Sequence, residues 1–431
     1  MKTLKNKKNL LIGCVADDFT GGSDAASYLS EGGMETVLIS GIPDDDLVLP
    51  EECEAVVIAL KSRTQKTEDA VRDSLKAVRW LKNNGTEQFY FKYCSTFDSL
   101  PTGNIGPVCD ALMEELNVRE TVLLPSMPDN GRTVKNGILY VNGIPLEESS
   151  MRSHPLTPMT KSRISELMEP QGRYPSLEIH QEALRKEDDA ERLLNEFRDR
   201  ESAFYIIPDY ENETDAEHIV SLFGKMRFLT GGSGILKALA SGIKGSECTE
   251  IAVSGTAGRA IIVAGSCSSA TRAQELYYEN SGSPSIRLKD EEILSGKADC
   301  ISLYDRIVSG NLESPLVYSY DTPEGLAAKR NEEGRLLAAK AEYVLSSLAA
   351  YALETGFRRI ISAGGETSGA VTQALGFRAF RISGSVASGV PILIPLEAPD
   401  VRLVLKSGNF GQEDFFCRAL KLTGVNDESA E

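Results

Sequence analysis

The sequence predicts an α/β fold with two domains, each a mostly parallel sheet flanked by helices. Short apolar runs rich in β-branched residues alternate with amphipathic helical patterns along the chain, which is typical of parallel sheets covered by helices. The length of 431 residues exceeds one ordinary core and fits two domains of roughly 150 to 250 residues each. Two domains imply an interdomain cleft, where ligands commonly bind.

The elements of the N-terminal half follow from apolar runs and the stretches between them. Strands are predicted over residues 10–16, 36–40, 55–60, 89–93, 121–124, 204–207 and 226–229. Between them lie amphipathic stretches such as "TEDAVRDSLKAVRWLKNNG", in which apolar residues recur every three or four positions. Gly85 then provides the residue type that commonly ends a helix.

The domain boundary is predicted within residues 241–258, where the chain becomes polar and small before the strand "AIIVAGS" restarts the pattern. We therefore expect an N-terminal domain over residues 1–245 and a C-terminal domain over residues 255–431. The C-terminal strands are predicted over residues 260–264, 316–320, 358–362, 379–382 and 403–405, with one long helix over residues 335–355.

Composition excludes several classes of protein. The net charge of -17 and the pI near 4.9 argue against nucleic acid or an anionic membrane as the main partner, since both require a basic surface. No apolar run reaches the ~20 residues of a membrane span, and the basic N-terminal start carries no signal-peptide cleavage pattern, so we expect a cytoplasmic protein. Eight cysteines without Cys-x-x-Cys spacing and only three histidines indicate neither a disulfide framework nor a zinc site.

Two adjacent carboxylates follow the first strand. In open α/β sheets ligands bind beyond the carboxyl ends of the strands, and there Asp17 and Asp18 precede a glycine pair at the start of a helix. Such carboxylates repel a phosphate, but they accept hydrogen bonds from the hydroxyls of a polyol or deprotonate one of them. The alternative is that one aspartate only caps the helix. No P-loop or dinucleotide-binding pattern occurs at this turn.

Further polar residues follow other strands of this half. "KSRTQ" places Lys61 and Arg63 after the third strand, and Arg is suited to bidentate binding of a carboxylate. The fourth strand runs into "KYCSTFDSLPTGNIGPV", whose polar crowding includes Lys92, Ser95 and Asp98. A well-capped helix start is the alternative interpretation of this loop.

Two later loops complete the candidate site of the first half. Arg152 and His154 lie among prolines in "MRSHPLTPMTKSR", where the backbone is restricted, although a lone histidine is equally often a structural hydrogen-bonding group. Gly232 lies in the small-residue turn "TGGSG", where a ligand can approach the backbone.

The second half repeats a strand-glycine-helix turn. The turns "AGSCSSATRAQ" and "SAGGETSGAVTQALG" each follow a strand and enter a helix, and "LKSGNFG" follows a third strand. Such turns offer backbone N–H groups and a helix dipole to an anion, whereas the alternative is tight strand-to-helix packing. The candidate nucleotide-binding residues are Ser266, Ser268, Gly364, Gly365, Glu366, Thr367, Ser368 and Gly408. Glu366 is also a candidate ligand for Mg²⁺, which takes oxygen ligands and bridges phosphates.

These motifs resemble those of the four-carbon acid sugar kinase family over nearly the whole chain. The resemblance is carried by "ADDFTGGSD", "KSRT", "KYCSTFDS", "GNIGPV", "NGRTV", "MRSHPLTPM", "LTGGSG", "GSCSSAT", "AGGETSGAVTQALG" and "LKSGNFG". It implies an N-terminal substrate-binding domain and a C-terminal nucleotide-binding domain, with ATP contacts at Ser266, at residues 365–368 and at Gly408. It also implies ATP-dependent phosphorylation of the C4 hydroxyl of 3-oxo-tetronate in four-carbon sugar acid catabolism. Departures from the family pattern at Gly22, Leu100 and Thr102 bear on the exact sugar acid.

A mechanistic hypothesis follows from the chemistry of phosphoryl transfer, which needs positioning and charge neutralisation. Asp17 or Asp18 orients or deprotonates the C4 hydroxyl, with Asp98 as the second candidate. The C1 carboxylate is held by Lys61, Arg63 and Arg152. ATP and Mg²⁺ bind to the second domain, and closure of the cleft excludes water.

Other functions stay open at this point. Threonate or erythronate kinases belong to the same family, and a non-catalytic sugar-acid sensor would also close two α/β lobes on a ligand. A nicotinamide-dependent dehydrogenase is disfavoured, because the sequence has no dinucleotide-binding fingerprint. The expected partners are a small four-carbon sugar acid and ATP, with neither nucleic acid nor a membrane, and a homo-oligomer is as open as a monomer.

Overall fold

The computed structural model describes residues 10–154, 157–245, 251, 253–266, 268–319 and 332–425. The chain divides into two compact units, residues 1–251 and 252–431. Each unit has its own mostly parallel sheet with helices packed on it, so the prediction of a two-domain α/β protein is confirmed.

The first unit contains strands β1 to β11 and helices α1 to α8. The strands are β1 Ile12–Ala16, β2 Thr36–Ser40, β3 Ala55–Ala59, β4 Gln88–Lys92, β5 Glu120–Leu124, β6 Arg132–Lys135, β7 Ile138–Val141, β8 Ile144–Pro145, β9 Ser176–Ile179, β10 Phe204–Pro208 and β11 Phe228–Gly231. The helices are α1 Phe19–Glu31, α2 Thr67–Asn83, α3 Ile105–Leu116, α4 Ile164–Met168, α5 Gln181–Leu184, α6 Glu187–Arg198, α7 Glu213–Phe223 and α8 Leu236–Lys244.

The main sheet of this unit is entirely parallel, in the order β2-β3-β1-β4-β11-β5-β10-β9. Its central strands are continuous apolar runs such as "AVVIA" and "FYIIP" and are buried along their whole length, as expected for a sheet with both faces covered. The carboxyl ends of β3, β1, β4 and β11 therefore lie side by side at one edge of the sheet.

The second unit contains strands β12 to β18 and helices α9 to α14. The strands are β12 Arg259–Ala264, β13 Ser285–Leu288, β14 Leu316–Ser319, β15 Phe357–Ala363, β16 Ala379–Ala387, β17 Val390–Pro395 and β18 Arg402–Lys406. The helices are α9 Ser269–Asn280, α10 Asp290–Leu294, α11 Cys300–Ser309, α12 Glu332–Glu354, α13 Gly365–Leu375 and α14 Phe415–Thr423. In the order β13-β14-β12-β15-β18-β17-β16, the first five strands are parallel and β17 pairs antiparallel with both of its neighbours.

Most predicted strands occur within one or two residues of their predicted ends. The sequence analysis missed the small antiparallel sheet β6-β7-β8, the edge strands β9 and β13, and β17. Short edge strands such as "SLEI" and "SIRL" mix polar and apolar residues, so they lack the buried apolar run that identifies the central strands.

The long helix α12 is apolar enough to correct one prediction. Residues Gly334–Glu354 meet the length and composition expected of a membrane span, although the sequence analysis found no such run. Its buried side chains include Leu337, Ala341, Leu345 and Leu348, spaced by three or four positions, and the helix packs on β12, β15, α11 and α13. The packing accounts for the apolar composition, so the helix is weak evidence for a membrane.

Candidate functional site

Asp17, Asp18 and Arg63 form an ion-pair cluster at the carboxyl end of β1 and β3. Asp17 directly follows β1 and is 5% exposed, and both of its carboxylate oxygens accept hydrogen bonds of 2.9 Å from Arg63 Nε and Nη2. Nη1 of Arg63 lies 3.1 Å from Oδ2 of Asp18. Burial lowers the pKa of Arg63, but the two carboxylates outweigh it and hold that pKa well above its usual value. The arginine thus stays charged.

Asp18 is also the N-cap of α1, as the alternative interpretation expected. Its extended backbone (φ -147°, ψ 165°) directs Oδ1 to the N–H of Gly21 at 2.7 Å. Of the two adjacent aspartates, one is therefore structural in part, and the other is held by a bidentate arginine.

Asn104 fixes the loop that carries Arg63. Its side-chain amide donates to the carbonyls of Ser62 at 2.8 Å, Arg63 at 3.3 Å and Gln65 at 2.9 Å. Its Oδ1 accepts from the Thr67 hydroxyl at 2.9 Å. The residue is 9% exposed, so these bonds hold the loop from inside the unit. The sequence analysis did not assign Asn104 a role, although it lies in the motif "GNIGPV".

Asp98 and His154 form a second polar pair beside this cluster. Asp98 Oδ1 lies 3.8 Å from His154 Nδ1, is buried, and has no hydrogen-bond partner among the described residues. Nδ1 accepts from the backbone N–H of Thr157 at 3.1 Å, so the neutral ring carries its proton on Nε2. Burial raises the pKa of Asp98. The positive charges of Arg63 and of a protonated His154 lower this pKa, and the carboxylates of Asp17 and Asp18 raise it further. Asp98 is thus electrostatically coupled to the whole cluster.

Lys92 lies under the turn after Asp18. It is 4% exposed and its ammonium donates to the Tyr93 carbonyl at 2.9 Å. A Cβ placed on Gly21 would lie 2.5 Å from Asp18 Oδ1 and 2.8 Å from Lys92 Nζ, so glycine leaves room for both side chains at this turn. Nearby on α1, Asp24 accepts a hydrogen bond from Ser233, and burial raises its pKa to about 6. The sequence analysis missed the Asp24–Ser233 pair.

The remaining candidates of the first unit differ in exposure. Lys61 and Arg152 are exposed, whereas Ser95 is half-buried and lies against Gly232, where an added Cβ would be 3.5 Å from Ser95 Cβ. Leu100 lines a cavity of about 400 Å³ together with Ser99, Leu167 and residues 158–161. The resemblance marks Leu100 and Thr102 as departures from the family pattern before "GNIGPV". Leu100 faces this cavity, whereas Thr102 is not among its lining residues.

In the second unit, the carboxyl ends of β12, β15 and β18 are neighbours and bring together the three glycine turns. Ser268 caps α9 by accepting from the Thr271 N–H at 3.1 Å, and its hydroxyl donates to the Gly408 carbonyl at 2.6 Å. Thr271 Oγ1 donates to the same carbonyl at 2.9 Å. A Cβ on Gly408 would lie 2.6 Å from Ser266 Oγ, so the turn after β18 touches the turn after β12.

The turn after β15 begins α13 and presents the rest of the predicted nucleotide-binding residues. Gly364 has a φ of 122°, which favours glycine, and its N–H donates to the Lys406 carbonyl at 3.0 Å. Thr367 and Ser368 are buried, and Ser368 Oγ lies 3.2 Å from that same carbonyl. Gly365 and Glu366 are exposed at the helix start. The N-terminus of α13 thus leaves its first turn open to an anion.

A buried lysine lies beneath these turns, and the sequence analysis overlooked it. Lys406 is the last residue of β18 and is 1% exposed, and its ammonium donates to Thr271 Oγ1 at 2.8 Å and to the Gly408 carbonyl at 3.0 Å. The lysine of a P-loop follows a glycine-rich turn, whereas this one ends a strand and precedes the turn. Its position in "LKSGNFG" directly before the glycine turn was the available signal.

The donor set for a metal is small. Among the described residues, no group of three or more His, Cys, Asp and Glu side chains is arranged to hold a metal ion. Mg²⁺ in nucleotide sites usually takes one or two carboxylates and completes its shell with phosphates and water. The exposed carboxylate of Glu366 at the start of α13 fits such a shared shell.

Family models match both units of the chain. A sugar-binding N-terminal domain matches residues 12–239, and a nucleotide-binding C-terminal domain matches residues 261–416. The chain belongs to the four-carbon acid sugar kinase family. The ion-pair cluster and the Asp98–His154 pair lie within the part matched by the family's sugar-binding domain. The three glycine turns lie within the part matched by its nucleotide-binding domain.

Relatives in this family match nearly the whole chain and carry the name 3-oxo-tetronate kinase. The one from Brucella melitensis is 41% identical, with 96% of each chain covered. The one from Salmonella typhimurium is 41% identical, covering 95% of this chain and 98% of the relative. The one from Haemophilus influenzae is 39% identical, covering 94% and 98%. The family resemblance that the motifs predicted is confirmed.

Solved structures of family members have the same fold. A crystal structure from Salmonella typhimurium LT2 matches with a TM-score of 0.88 at 40% identity, covering 95% of this chain and 98% of that one. One from Haemophilus influenzae matches with a TM-score of 0.84 at 38% identity, covering 95% and 100%. The Salmonella structure was provisionally described as a tRNA synthase, which differs from the kinase name of the relatives. The net charge of -17 of this chain argues against tRNA as its ligand.

Proposed function

We propose that the protein is an ATP-dependent kinase that phosphorylates the C4 hydroxyl of 3-oxo-tetronate. The hydroxyl oxygen attacks the γ-phosphorus, the bond to the β,γ-bridging oxygen breaks, and 3-oxo-tetronate 4-phosphate and ADP leave. One observation carries the proposal: a single chain of this family has an acid–base cluster at one sheet edge and a convergent set of glycine turns at another. The first suits a hydroxylated acid, and the second suits a nucleotide phosphate.

Asp98 is the residue that we assign as the general base for the C4 hydroxyl. Both oxygens of Asp17 accept hydrogen bonds from Arg63, and Oδ1 of Asp18 caps α1. Oδ1 of Asp98, by contrast, has no partner among the described residues, and burial raises the pKa of this carboxyl. A more basic carboxylate with a free oxygen is the better proton acceptor. Asp17 and Asp18 then orient Arg63 and the substrate.

The acceptor's carboxylate is assigned to the cationic side chains around this edge. Arg63 uses Nε and one N–H of Nη2 on Asp17 and pairs Nη1 with Asp18, which leaves the second N–H of Nη1 and of Nη2 for the C1 carboxylate. Lys61 and Arg152 are exposed cations that can reach toward it from solvent. The groups assigned to the remaining oxygens of the sugar acid are Lys92, Ser95, His154 and the backbone of Gly232.

ATP is assigned to the C-terminal domain expected over residues 255–431, and the sugar acid to the N-terminal domain expected over residues 1–245. The proposed phosphate contacts are the hydroxyls and backbone of Ser266, Ser268, Gly364, Gly365, Thr367, Ser368 and Gly408. Mg²⁺, held in part by Glu366, would supply charge neutralisation on the phosphates. The proposal carries with it a cytoplasmic location, where ATP and sugar acids are available.

The first test is ADP release by the purified protein with ATP and Mg²⁺. We expect strong turnover with 3-oxo-tetronate and weak turnover with the D and L forms of threonate and erythronate. Preference for threonate or erythronate would support the kinase activity and contradict the assignment of 3-oxo-tetronate as the substrate. Leu100 would then be the first residue to exchange. Absence of turnover across the panel, together with absence of ATP binding, would favour the non-catalytic sensor.

Replacement of Gly408 by Ala is expected to weaken ATP use. The added methyl group would lie 2.6 Å from Ser266 Oγ and 3.0 Å from Ser268, so the two turns must separate. We expect KM for ATP to rise by up to about 100-fold, since small displacements in such sites carry costs of this size. Steady-state kinetics with varied ATP measure it.

Gly369→Ala is the matched control for this variant. Its added methyl group meets nothing within 4 Å on α13. We expect unchanged KM for ATP and a gain of about 0.5–1 kcal/mol in stability, because alanine replaces glycine inside a helix. Equal KM values for the two variants would contradict the assignment of Gly408 to the nucleotide site.

A further inference from the structure

Lys406 places a buried ammonium group under the turn formed by residues 407–411. Its three hydrogen-bond acceptors are Thr271 Oγ1 at 2.8 Å, the Gly408 carbonyl at 3.0 Å and the Ser407 carbonyl at 3.3 Å. All three are uncharged oxygens, and two of them belong to the turn itself. Nζ also lies 5.6 Å from the centre of the Phe415 ring. In the part of the chain that the structure describes, no carboxylate forms an ion pair with this lysine.

The nearest acidic neighbour of Lys406 does not fully neutralise it. Glu275 on α9 is 2% exposed, and its Oε1 is buried without a hydrogen-bond partner among the described residues. Burial raises the pKa of Glu275 to about 8, so this side chain is largely protonated at neutral pH. The other charged groups facing Glu275 are Arg272 and Glu279 on α9 and Arg287 on β13. A buried positive charge without a full counter-charge is costly unless an anion joins it.

Helix α9 holds the same turn at both ends. Ser268 and Thr271 bind the Gly408 carbonyl, and the Gln274 side chain donates to the carbonyls of Phe410 at 3.0 Å and Gly411 at 3.1 Å. These residues are spaced by three along one face of the helix. The turn is therefore fixed over the ammonium group, and a ligand bound to the turn lies in the field of that charge.

We propose that Lys406 is the cation of the nucleotide site, acting from beneath the Gly408 turn to hold that turn in place and to neutralise the phosphates bound above it. The inference rests on the proposed nucleotide site but does not depend on which acceptor is phosphorylated. Lys406 is a positioning residue in this role, because its ammonium donates to the backbone of the turn to which the phosphates are assigned. It replaces the P-loop lysine that the sequence lacks.

The role implies that nucleotide binding takes up a proton near pH 8. Burial lowers the pKa of Lys406 to about 8, against the influence of Glu275. A bound anion favours the charged form and raises this pKa, so affinity is greatest below pH 8 and falls as the pH rises through that value. Phosphate groups titrate near about pH 6, so a proton taken up at pH 8 belongs to the protein.

Calorimetry of the full-length protein with ADP tests the inference. Titrations at pH 8 in two buffers of different ionisation enthalpy give the number of protons taken up, and we expect about half a proton per ADP. Lys406→Met should abolish most of this uptake and weaken binding about tenfold or more. Lys406→Arg should restore affinity in part, and Glu275→Gln should keep the uptake.

Lys340→Met is the matched control, since Lys340 lies in the same unit and donates to the Leu294 carbonyl at 3.1 Å. We expect its affinity within about twofold of the wild type. An unchanged affinity and proton uptake in Lys406→Met would overturn the inference while leaving the kinase intact. If Lys406→Met does not fold, the wild type and Glu275→Gln decide, and either zero uptake in the wild type or loss of the uptake in Glu275→Gln overturns the inference. Uptake without phosphorylation of any sugar acid would support the inference and refute the kinase.

Discussion

Asp98→Asn is expected to lower kcat by about 10²- to 10⁴-fold, the usual contribution of a general base. The amide keeps the shape of the side chain but cannot take the proton of the C4 hydroxyl. Because Asp98 acts when the hydroxyl reacts, KM for the sugar acid should change little. Steady-state kinetics with the best substrate of the panel give both constants.

The pH profile makes this prediction specific. The base works in its ionised form, so kcat/KM falls as the pH drops through the pKa of Asp98 in the free enzyme. Burial raises that pKa, so the acid limb should lie at higher pH than for an ordinary aspartate near about 4. A protonated His154 lowers the pKa of Asp98, so His154→Gln should move the limb to still higher pH.

Exposed Asp188 on α6 provides the matched control, and Asp188→Asn should leave kcat and its pH profile unchanged. Near-normal turnover of Asp98→Asn would move the role of the base to Asp18, whose Oδ2 faces Arg63. If Asp98→Asn loses activity but His154→Gln leaves the acid limb of the pH profile unmoved, Asp98 only orients the substrate.

Arg63→Met is expected to destabilise the first unit by about 3–5 kcal/mol and to abolish turnover. The substitution leaves the carboxylate of Asp17 buried and without its two hydrogen bonds, and an unpaired buried charge carries a cost of this size. Asp17→Asn in the same chain should recover most of the stability but not the activity. Urea unfolding of the single and double variants measures the free energies.

Arg72, an arginine of α2 in an exposed ion-pair network, is the matched control for Arg63. It pairs with Asp69 and with Asp73, the latter at 3.1 Å, and its side chain is 53% exposed. Arg72→Met should change the free energy of unfolding far less than Arg63→Met does, because exposed ion pairs contribute little to stability. Equal effects of the two substitutions would mean that the Arg63 cluster contributes no more than a surface pair.

Features that depend on residues adjacent in the chain, such as strands and the turns after them, could be predicted from the sequence. Buried strands were visible as apolar runs, and the residues following them were correctly expected at sheet edges, because the end of a strand fixes where the next residue lies. Gly22, in the glycine pair of "ADDFTGGSD", is a local sequence signal with a structural cause. A Cβ there would lie 2.6 Å from Ala59 Cβ, so glycine lets α1 approach β3.

Pairings between distant residues were beyond the reach of the sequence. The partner of Arg63 is Asp17, the partner of Asp24 is Ser233, and Lys406 contacts Thr271, each across tens or hundreds of positions. Hydrophobic periodicity carries no information on such pairs, since they depend on strand order. The sequence analysis assigned Arg63 to the carboxylate of the substrate and did not anticipate that Arg63 also pairs with Asp17 and Asp18.

Asn104 has a consequence for how a kinase of this design can change its substrate. The segment between Ser99 and Asn104 is anchored at both ends, by the hydrogen bond that the Ser99 hydroxyl donates to the Gln171 side chain and by the hydrogen bonds of Asn104 to the loop of Arg63. Between the anchors, Leu100, Pro101 and Thr102 are exposed. Natural variation can exchange these exposed residues while the proposed base and the arginine keep their positions, and we expect the preference for one sugar acid to change with them.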